Sequence, residues 1–190
     1  MFPNSNKELK IIIPVLRQTN ITKYTVKSPK NSKSSPVSNP LTASSPLGLE
    51  MSAKIHPTCE YVLHFDGCSK GNPGPAGIGA VISKSGSEEW CGCQFIGNRT
   101  NNQSEYSALI LGLKEALSRN IKQLQVYGDS LLVINQVTGQ FKVNNILLKE
   151  LHQEVIKLTK NFDYIAFNHV YRDKNKRADQ LSNMALDIEE

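Results

Sequence analysis

The first regular pattern of apolar and polar positions begins near residue 60. Three apolar-rich runs, each bounded by Gly, Pro, Asn or Ser, predict strands over 60–65, 77–83 and 89–96. Because short connections separate them, we expect these strands to pair as an antiparallel meander. Gly77 and Gly79 in the second run permit the close approach of another backbone.

From residue 101 the apolar spacing changes to that of a helix, which we predict over 101–118. Small residues recur there every four positions, at Ala108, Gly112 and Ala116, and would let the helix lie close on a sheet. Later patterns predict a strand over 122–127, a short helix over 131–137, an amphipathic helix through 147–158, a strand over 163–170 and a closing helix over 175–186. This order predicts an α/β fold: a mixed five-stranded sheet, formed by the meander and then parallel strands, with helices flanking it.

The first third of the chain has a different composition. Residues 28–47, SPKNSKSSPVSNPLTASSPL, offer almost nothing to bury and are predicted to be a disordered linker. The formal net charge of the chain is +5, and residues 1–49 alone carry +6, from seven Lys and Arg against one Glu. We therefore divide the chain into a disordered basic Ser/Pro-rich leader and linker over 1–54 and one globular domain over 55–190. For the leader, both a transit peptide and a tail attracted to a polyanion are open.

The bulk features bear on the cellular setting. The four cysteines form no CxxC pair, which favours free thiols in a reducing compartment. No apolar run approaches the roughly 20 residues of a membrane-spanning helix. We expect a soluble, intracellular, monomeric protein with no membrane partner, and the nucleus, the cytoplasm and the mitochondrion all remain open.

Four acidic residues hold unusual positions. Asp66 lies at the predicted end of the first strand and Asp129 follows the fourth, while Glu105 is on the sheet-facing side of the first long helix, one turn after Asn101 on the same face. Asp179 is in the first turn of the closing helix. If the central strands are neighbours, the four carboxylates meet at one edge, where mutual repulsion would be relieved by divalent cations. Oxygen ligands of this kind suit Mg²⁺, and two ions about 4 Å apart can activate water against a phosphodiester.

Four segments carry a family resemblance that covers roughly residues 60–187. FDGCSKGNPGPAGIGAVI, TNNQSEYSALILGLKEAL, VYGDS and NKRADQLSNMA resemble, in order and spacing, the successive motifs of the type 1 ribonuclease H family. The resemblance implies the ribonuclease H-like fold and an endonuclease that cuts the RNA strand of RNA/DNA hybrids without sequence preference, leaving a 3′-hydroxyl and a 5′-phosphate. It assigns two Mg²⁺ ions, for which Mn²⁺ could substitute, to four acids: Asp66, Glu105, Asp129 and Asp179.

The resemblance also assigns contacts with the substrate. Residues that sense the 2′-hydroxyls of the RNA strand would be Gly67, Ser69, Asn72, Asn101 and Asn102. Short amides and backbone groups can read a 2′-hydroxyl from a shallow minor groove without reading bases. A partner of this kind, an RNA/DNA hybrid duplex, is therefore expected.

Two departures from the family pattern concern the stretch after Asp129. Many members carry a basic protruding segment between the third acid and the fifth strand, and this segment is missing here before residue 163, as in the compact archaeal and plant-like branch. Binding of the hybrid should therefore be weaker, unless the basic leader compensates. His169, ten residues before Asp179, is at the distance of a histidine that assists product release, but no glycines surround it. Arg172 is the alternative for that role, and both are kept as candidate catalytic residues.

Two other functions remain as alternatives. One is a non-catalytic module that binds RNA/DNA hybrids, against which the four intact acids argue. The other is a transposase-like or integrase-like enzyme acting on DNA with the same fold, against which the lack of long insertions and of a separate DNA-binding domain argues.

Overall fold

The computed structural model describes residues 59–187. The predicted leader over 1–54 lies outside the described residues. The elements are, in chain order, β1 (Tyr61–Ser69), β2 (Gly74–Lys84), β3 (Ser87–Arg99), α1 (Asn101–Ser118), β4 (Gln123–Gly128), α2 (Leu131–Val137), α3 (Ile146–Thr159), β5 (Tyr164–His169), a 3₁₀ turn (Arg172–Lys174) and α4 (Lys176–Asp187). Each predicted helix and strand is present, with strands longer than predicted in the meander.

The sheet has the strand order β3-β2-β1-β4-β5. β1 pairs antiparallel with β2 and β2 with β3, whereas β1 with β4 and β4 with β5 are parallel. The short connections of the meander allow antiparallel pairing, and the helical crossovers return the chain for parallel pairing. The predicted mixed five-stranded sheet is therefore confirmed.

The main core lies between the sheet and α1. Leu63 and Phe65 of β1 are fully buried, as is Leu109 of α1. The small-residue stripe has its predicted role, because a Cβ at Gly112 would come within 2.3 Å of the Leu63 side chain. α1 can therefore lie directly on β1.

α4 packs on the opposite face of the sheet. In the β1–β2 ladder Gly79 is the partner of Asp66, and a Cβ at Gly79 would come within 2.6 Å of the carbonyl oxygen of Ala178. A Cβ at Gly77 would come within 2.2 Å of the carbonyl oxygen of Ser182. The two glycines thus bring the backbone of α4 onto β2, which is the close approach expected from the sequence.

The expected position of Asp66 at the end of a strand needs correction. β1 continues to Ser69, because β2 goes on pairing with it as far as Ser69 and Ala76. The parallel partner β4 stops earlier, with Gly128 opposite Phe65. Asp66 is therefore still paired with β2, but it lies one residue beyond the last residue of β1 that pairs with β4.

Among residues 59–187, no helix combines the length and the apolar character needed to cross a bilayer.

Candidate active site

Three of the four predicted acids form a compact group. One carboxylate oxygen from each of Asp66, Glu105 and Asp129 lies within 4.8 Å of the others. β1 supplies the first, the second turn of α1 the second, and the residue directly after β4 the third. The sequence-based expectation that these acids converge at one edge of the sheet holds for this trio.

Gly67 brings Glu105 into the group. A Cβ at Gly67 would lie 2.2 Å from the carbonyl carbon of Ser104 and 2.3 Å from the amide nitrogen of Glu105, so only glycine lets α1 contact β1 here. Glu105 is buried, and its Oε2 has no hydrogen-bond partner among the described residues. Burial first, and then the charges of Asp66 and Asp129, raise the pKa of Glu105 well above its usual value.

The anionic form of Asp66 is also disfavoured by its surroundings. It is 6% exposed, and burial raises its pKa to about 6, with Asp129 and Asp179 adding to the shift. The hydroxyl of Ser182 opposes the shift by donating to Oδ2 of Asp66, 2.5 Å away.

These residues fit a divalent cation. Two buried carboxyl groups are disfavoured as anions by burial and mutual repulsion, and Oε2 of Glu105 has no hydrogen-bond partner in the part of the chain that the structure describes. A hard cation satisfies oxygen ligands of this kind and removes the repulsion between them. The group is therefore an acidic cluster capable of holding a metal ion.

Asp179 takes a different position from the trio. It lies in the first turn of α4, as predicted, but its Oδ1 accepts hydrogen bonds from Nε of Arg172, at 3.0 Å, and from Nη2 of the same side chain. His169 donates from Nε2 to the backbone oxygen of Asp129 at 3.2 Å and packs edge-on against Tyr171. The two candidates for assisting product release thus contact different acids.

The predicted substrate contacts surround the turn between β1 and β2. Asn72 is exposed and accepts a hydrogen bond at Oδ1 from the backbone N–H of Asn101, 3.2 Å away, while Asn102 beside it is exposed as well. Ser69 places its hydroxyl 2.8 Å from the carbonyl oxygen of Arg99. Asn101 lies one turn before Glu105 on α1, as predicted, but it is exposed, so the buried part of the stripe begins at Glu105.

Two polar residues at the acidic cluster were missed in the sequence. Ser182 contacts Asp66, and the Nδ2 group of Asn175 donates to Oδ1 of Asp129 at 3.2 Å. A signal for Ser182 exists, since a serine on the apolar side of an amphipathic helix, between Leu181 and Ala185, needs a buried partner. For Asn175, which precedes the helix, the sequence holds no such signal.

Comparison with known proteins places this geometry in a family. Residues 64–185 match the family model described as reverse transcriptase-like. A ribonuclease H from Hydrogenovibrio crunogenus is 35% identical over 143 residues, which cover 67% of this chain and 96% of that protein. The chain belongs to the type 1 ribonuclease H family. In this family member, the acidic cluster occupies the edge of the sheet where β1 passes the end of β4.

Archaeal and environmental ribonucleases H are similar in sequence and in structure. Ribonuclease HI of Halobacterium salinarum is 42% identical over 125 residues, covering 65% of this chain and 63% of that protein. The crystal structure of the RNase H1 from that organism has a TM-score of 0.66 at 41% identity, covering 67% of this chain and 98% of that one. LC11-RNase H1, isolated from compost and solved in complex with an RNA/DNA hybrid, has a TM-score of 0.65 at 35% identity, covering 68% and 98%.

Proposed function

We propose that this ribonuclease H is an endonuclease that hydrolyses the RNA strand of RNA/DNA hybrids, without sequence preference, using two Mg²⁺ ions. The observation that carries the proposal is the group of two buried acids, Asp66 and Glu105, and the half-buried Asp129 on the fold of this family, in which Oε2 of Glu105 has no hydrogen-bond partner among residues 59–187. The hybrid bound to the similar LC11 enzyme supports the choice of substrate.

Four side chains would hold the ions: Asp66, Glu105, Asp129 and, once released from Arg172, Asp179. Bound ions of this kind supply activation of a water molecule and stabilisation of the leaving oxygen of a phosphodiester. Mn²⁺ has the same preference for oxygen ligands and would serve as a substitute. The residues of the chain place carboxylate oxygens at the sheet edge and keep the buried ones from bulk water.

Arg172 is the hydrogen-bond partner of the fourth acid, Asp179. Its guanidinium group contacts Asp179 while its side chain is 75% exposed, so it can exchange that carboxylate for a phosphate. We propose Arg172 as the residue that assists product release. His169 is the second candidate, since it donates to the backbone of Asp129 at the same edge.

The exposed amides beside the cluster suit the substrate. Asn72, Asn101 and Asn102 are all exposed and adjoin the β1–β2 turn, where they can donate to and accept from 2′-hydroxyls. Ser69 and Gly67 are occupied within the protein, the first near backbone carbonyl oxygens and the second under α1. The recognition of RNA in the hybrid is therefore assigned mainly to the three asparagines.

The test is cleavage by Asp129→Asn of an RNA/DNA hybrid in Mg²⁺. Loss of one ligand charge should reduce cleavage by orders of magnitude, whereas Asp163→Asn, an exposed carboxylate at the other end of the sheet, should cleave like the wild type. Retained cleavage by Asp129→Asn would contradict the metal-site assignment.

Three substrates separate the proposed function from its alternatives. The wild type should cut the hybrid and leave double-stranded RNA and double-stranded DNA intact. Binding of the hybrid without cleavage, at any concentration of Mg²⁺ or Mn²⁺, would instead identify a non-catalytic binding module. Cleavage of double-stranded DNA would favour the transposase-like alternative.

A further inference from the structure

The contact of α4 with the sheet brings Ser182 to the acidic cluster. Gly77 and Gly79 have no side chains, so the α4 backbone around Ser182 lies directly on β2. In the adjacent strand Asp66 is the ladder partner of Gly79, and residues paired in this way point to the same face of a sheet. The side chain of Ser182 therefore meets that of Asp66 in the space that the two glycines leave.

The hydroxyl of Ser182 is directed at the carboxylate. Ser182 is fully buried, and its Oγ lies 2.5 Å from Oδ2 of Asp66 and 2.9 Å from the backbone oxygen of Asp179. A hydroxyl has one proton, and the backbone oxygen of Asp179 already accepts from the side chain of Asn183 at 2.8 Å. The charged oxygen of Asp66 is the closer and stronger acceptor.

Asn175 makes the corresponding contact with Asp129. It is 1% exposed, and its Nδ2 group donates to the carbonyl oxygen of Phe65 at 2.9 Å and to Oδ1 of Asp129 at 3.2 Å. Both protons of the amide are thus used, which sets the orientation of the side chain. The residue before Asp66 and the carboxylate of Asp129 are held by one amide, so Asn175 links β1 to the residue that follows β4.

We propose that Ser182 and Asn175 are positioning residues for the metal site: Ser182 holds one oxygen of Asp66 and Asn175 one oxygen of Asp129, so that the other oxygen of each carboxylate is presented to the cation. This inference deepens the proposed function and rests on it. Besides carrying Asp179, α4 would position Asp66 through Ser182, and Asn175, the residue before α4, would position Asp129. Neutral donors suit that task, because they orient a carboxylate without cancelling the charge that attracts the cation.

Two substitutions in the full-length chain test the pair. Ser182→Ala removes one donor with little change in volume, and Asn175→Leu keeps the approximate size of the side chain but removes the donating amide without adding charge. Mn²⁺ binding is measured by calorimetry without substrate, and kcat and KM are measured on the hybrid. We expect Mn²⁺ affinity and kcat each to fall roughly 10- to 100-fold, the usual effect of removing a partner of a metal ligand, with KM for the hybrid unchanged.

Ser107→Ala is the matched control. The Ser107 hydroxyl donates to the carbonyl oxygen of Gln103 within α1, at 2.8 Å, so its removal deletes a serine hydrogen bond away from the acids. This variant should bind Mn²⁺ and cleave like the wild type. Thermal unfolding in EDTA identifies the variants that fold, and Ser182→Ala decides alone if Asn175→Leu does not fold.

The outcomes separate this inference from the proposed function. A folded Ser182→Ala protein with wild-type affinity for Mn²⁺ overturns the positioning role, whatever its activity. A wild-type protein that binds Mn²⁺ and cleaves no hybrid overturns the proposed function, while the comparison of metal affinities still tests the two donors.

Discussion

Replacing Asp66 by asparagine should make the metal-free protein more stable at neutral pH while abolishing cleavage of the hybrid. The carboxylate is buried beside two other acids, so its negative charge costs free energy in the folded state. Asparagine keeps the size of the side chain and an oxygen that can accept from Ser182. The substitution therefore removes the charge and leaves the packing in place.

The magnitude follows from the pKa of Asp66. Burial and the neighbouring carboxylates raise this pKa from 3.8 to about 6. A rise of about two pKa units corresponds to about 3 kcal/mol of free energy of unfolding, at 1.36 kcal/mol per unit. The measured gain should be smaller, about 1–2 kcal/mol, because the new amide protons need acceptors in a buried site.

The gain should depend on pH in a defined direction. Between about pH 4 and pH 6 the folded protein binds more protons at Asp66 than the unfolded chain does, so stability falls as pH rises. The contribution of this group is fully present below about pH 4 and is lost as pH rises through 6. The variant, which lacks the titrating group, should therefore exceed the wild type at pH 8 and approach it at pH 4.

Urea unfolding in EDTA at the two pH values measures this difference, with Asp163→Asn as the control for an exposed carboxylate. Adding Mg²⁺ at pH 8 should stabilise the wild type, by about 2.7 kcal/mol at a concentration 100 times the dissociation constant, and should have little effect on Asp66→Asn. A variant less stable than the wild type at pH 8, or a gain of equal size at both pH values, would refute the reasoning.

Three further predictions concern Asn72 in the β1–β2 turn, the packing of α4 on β2, and the buried hydrogen bond of Tyr106. Asn72→Ala should raise KM for the hybrid roughly 2- to 10-fold, the effect of one hydrogen bond, and leave Mn²⁺ binding unchanged in calorimetry. Equal losses of hybrid binding and of Mn²⁺ binding would contradict the assignment of the turn to the substrate. Gly79→Ala should lower the free energy of unfolding in urea by about 1–3 kcal/mol, because its Cβ would lie 2.6 Å from the Ala178 carbonyl oxygen; wild-type stability would show that α4 shifts freely. Tyr106→Phe removes the 2.9 Å hydrogen bond to buried Gln136 and should cost about 1–3 kcal/mol in thermal unfolding with kcat unchanged, and a parallel loss of kcat would link this bond to the site.

Much of the fold can be predicted from local patterns in the sequence. The apolar-rich runs of the meander, bounded by turn residues, and the four-residue repeat of Ala108, Gly112 and Ala116 are both local features of single elements. Helix starts are local as well: Thr100 caps α1, accepting from the backbone of Gln103, and Ser130 caps α2. Bounds of helices were accordingly predicted within one or two residues, and the acids were found from their places in those elements.

The arrangement of the site depended on contacts that no local pattern encodes. Asp66 lies within β1 because β2 continues past the end of β4, which depends on where two different strands stop. Asp179 contacts Arg172 instead of joining the trio, although its helical position was predicted correctly.

By itself, then, the sequence determined the elements, their order and the acids that converge on the sheet edge. Only the tertiary structure decided which carboxylate oxygens accept hydrogen bonds within the protein and which remain available to a cation. Ser182 and Asp66 are 116 positions apart, and Asn175 and Phe65 are 110 apart. Their contacts exist because Gly77 and Gly79 let α4 lie on β2, and the distance between two packed backbones is a property of both segments together.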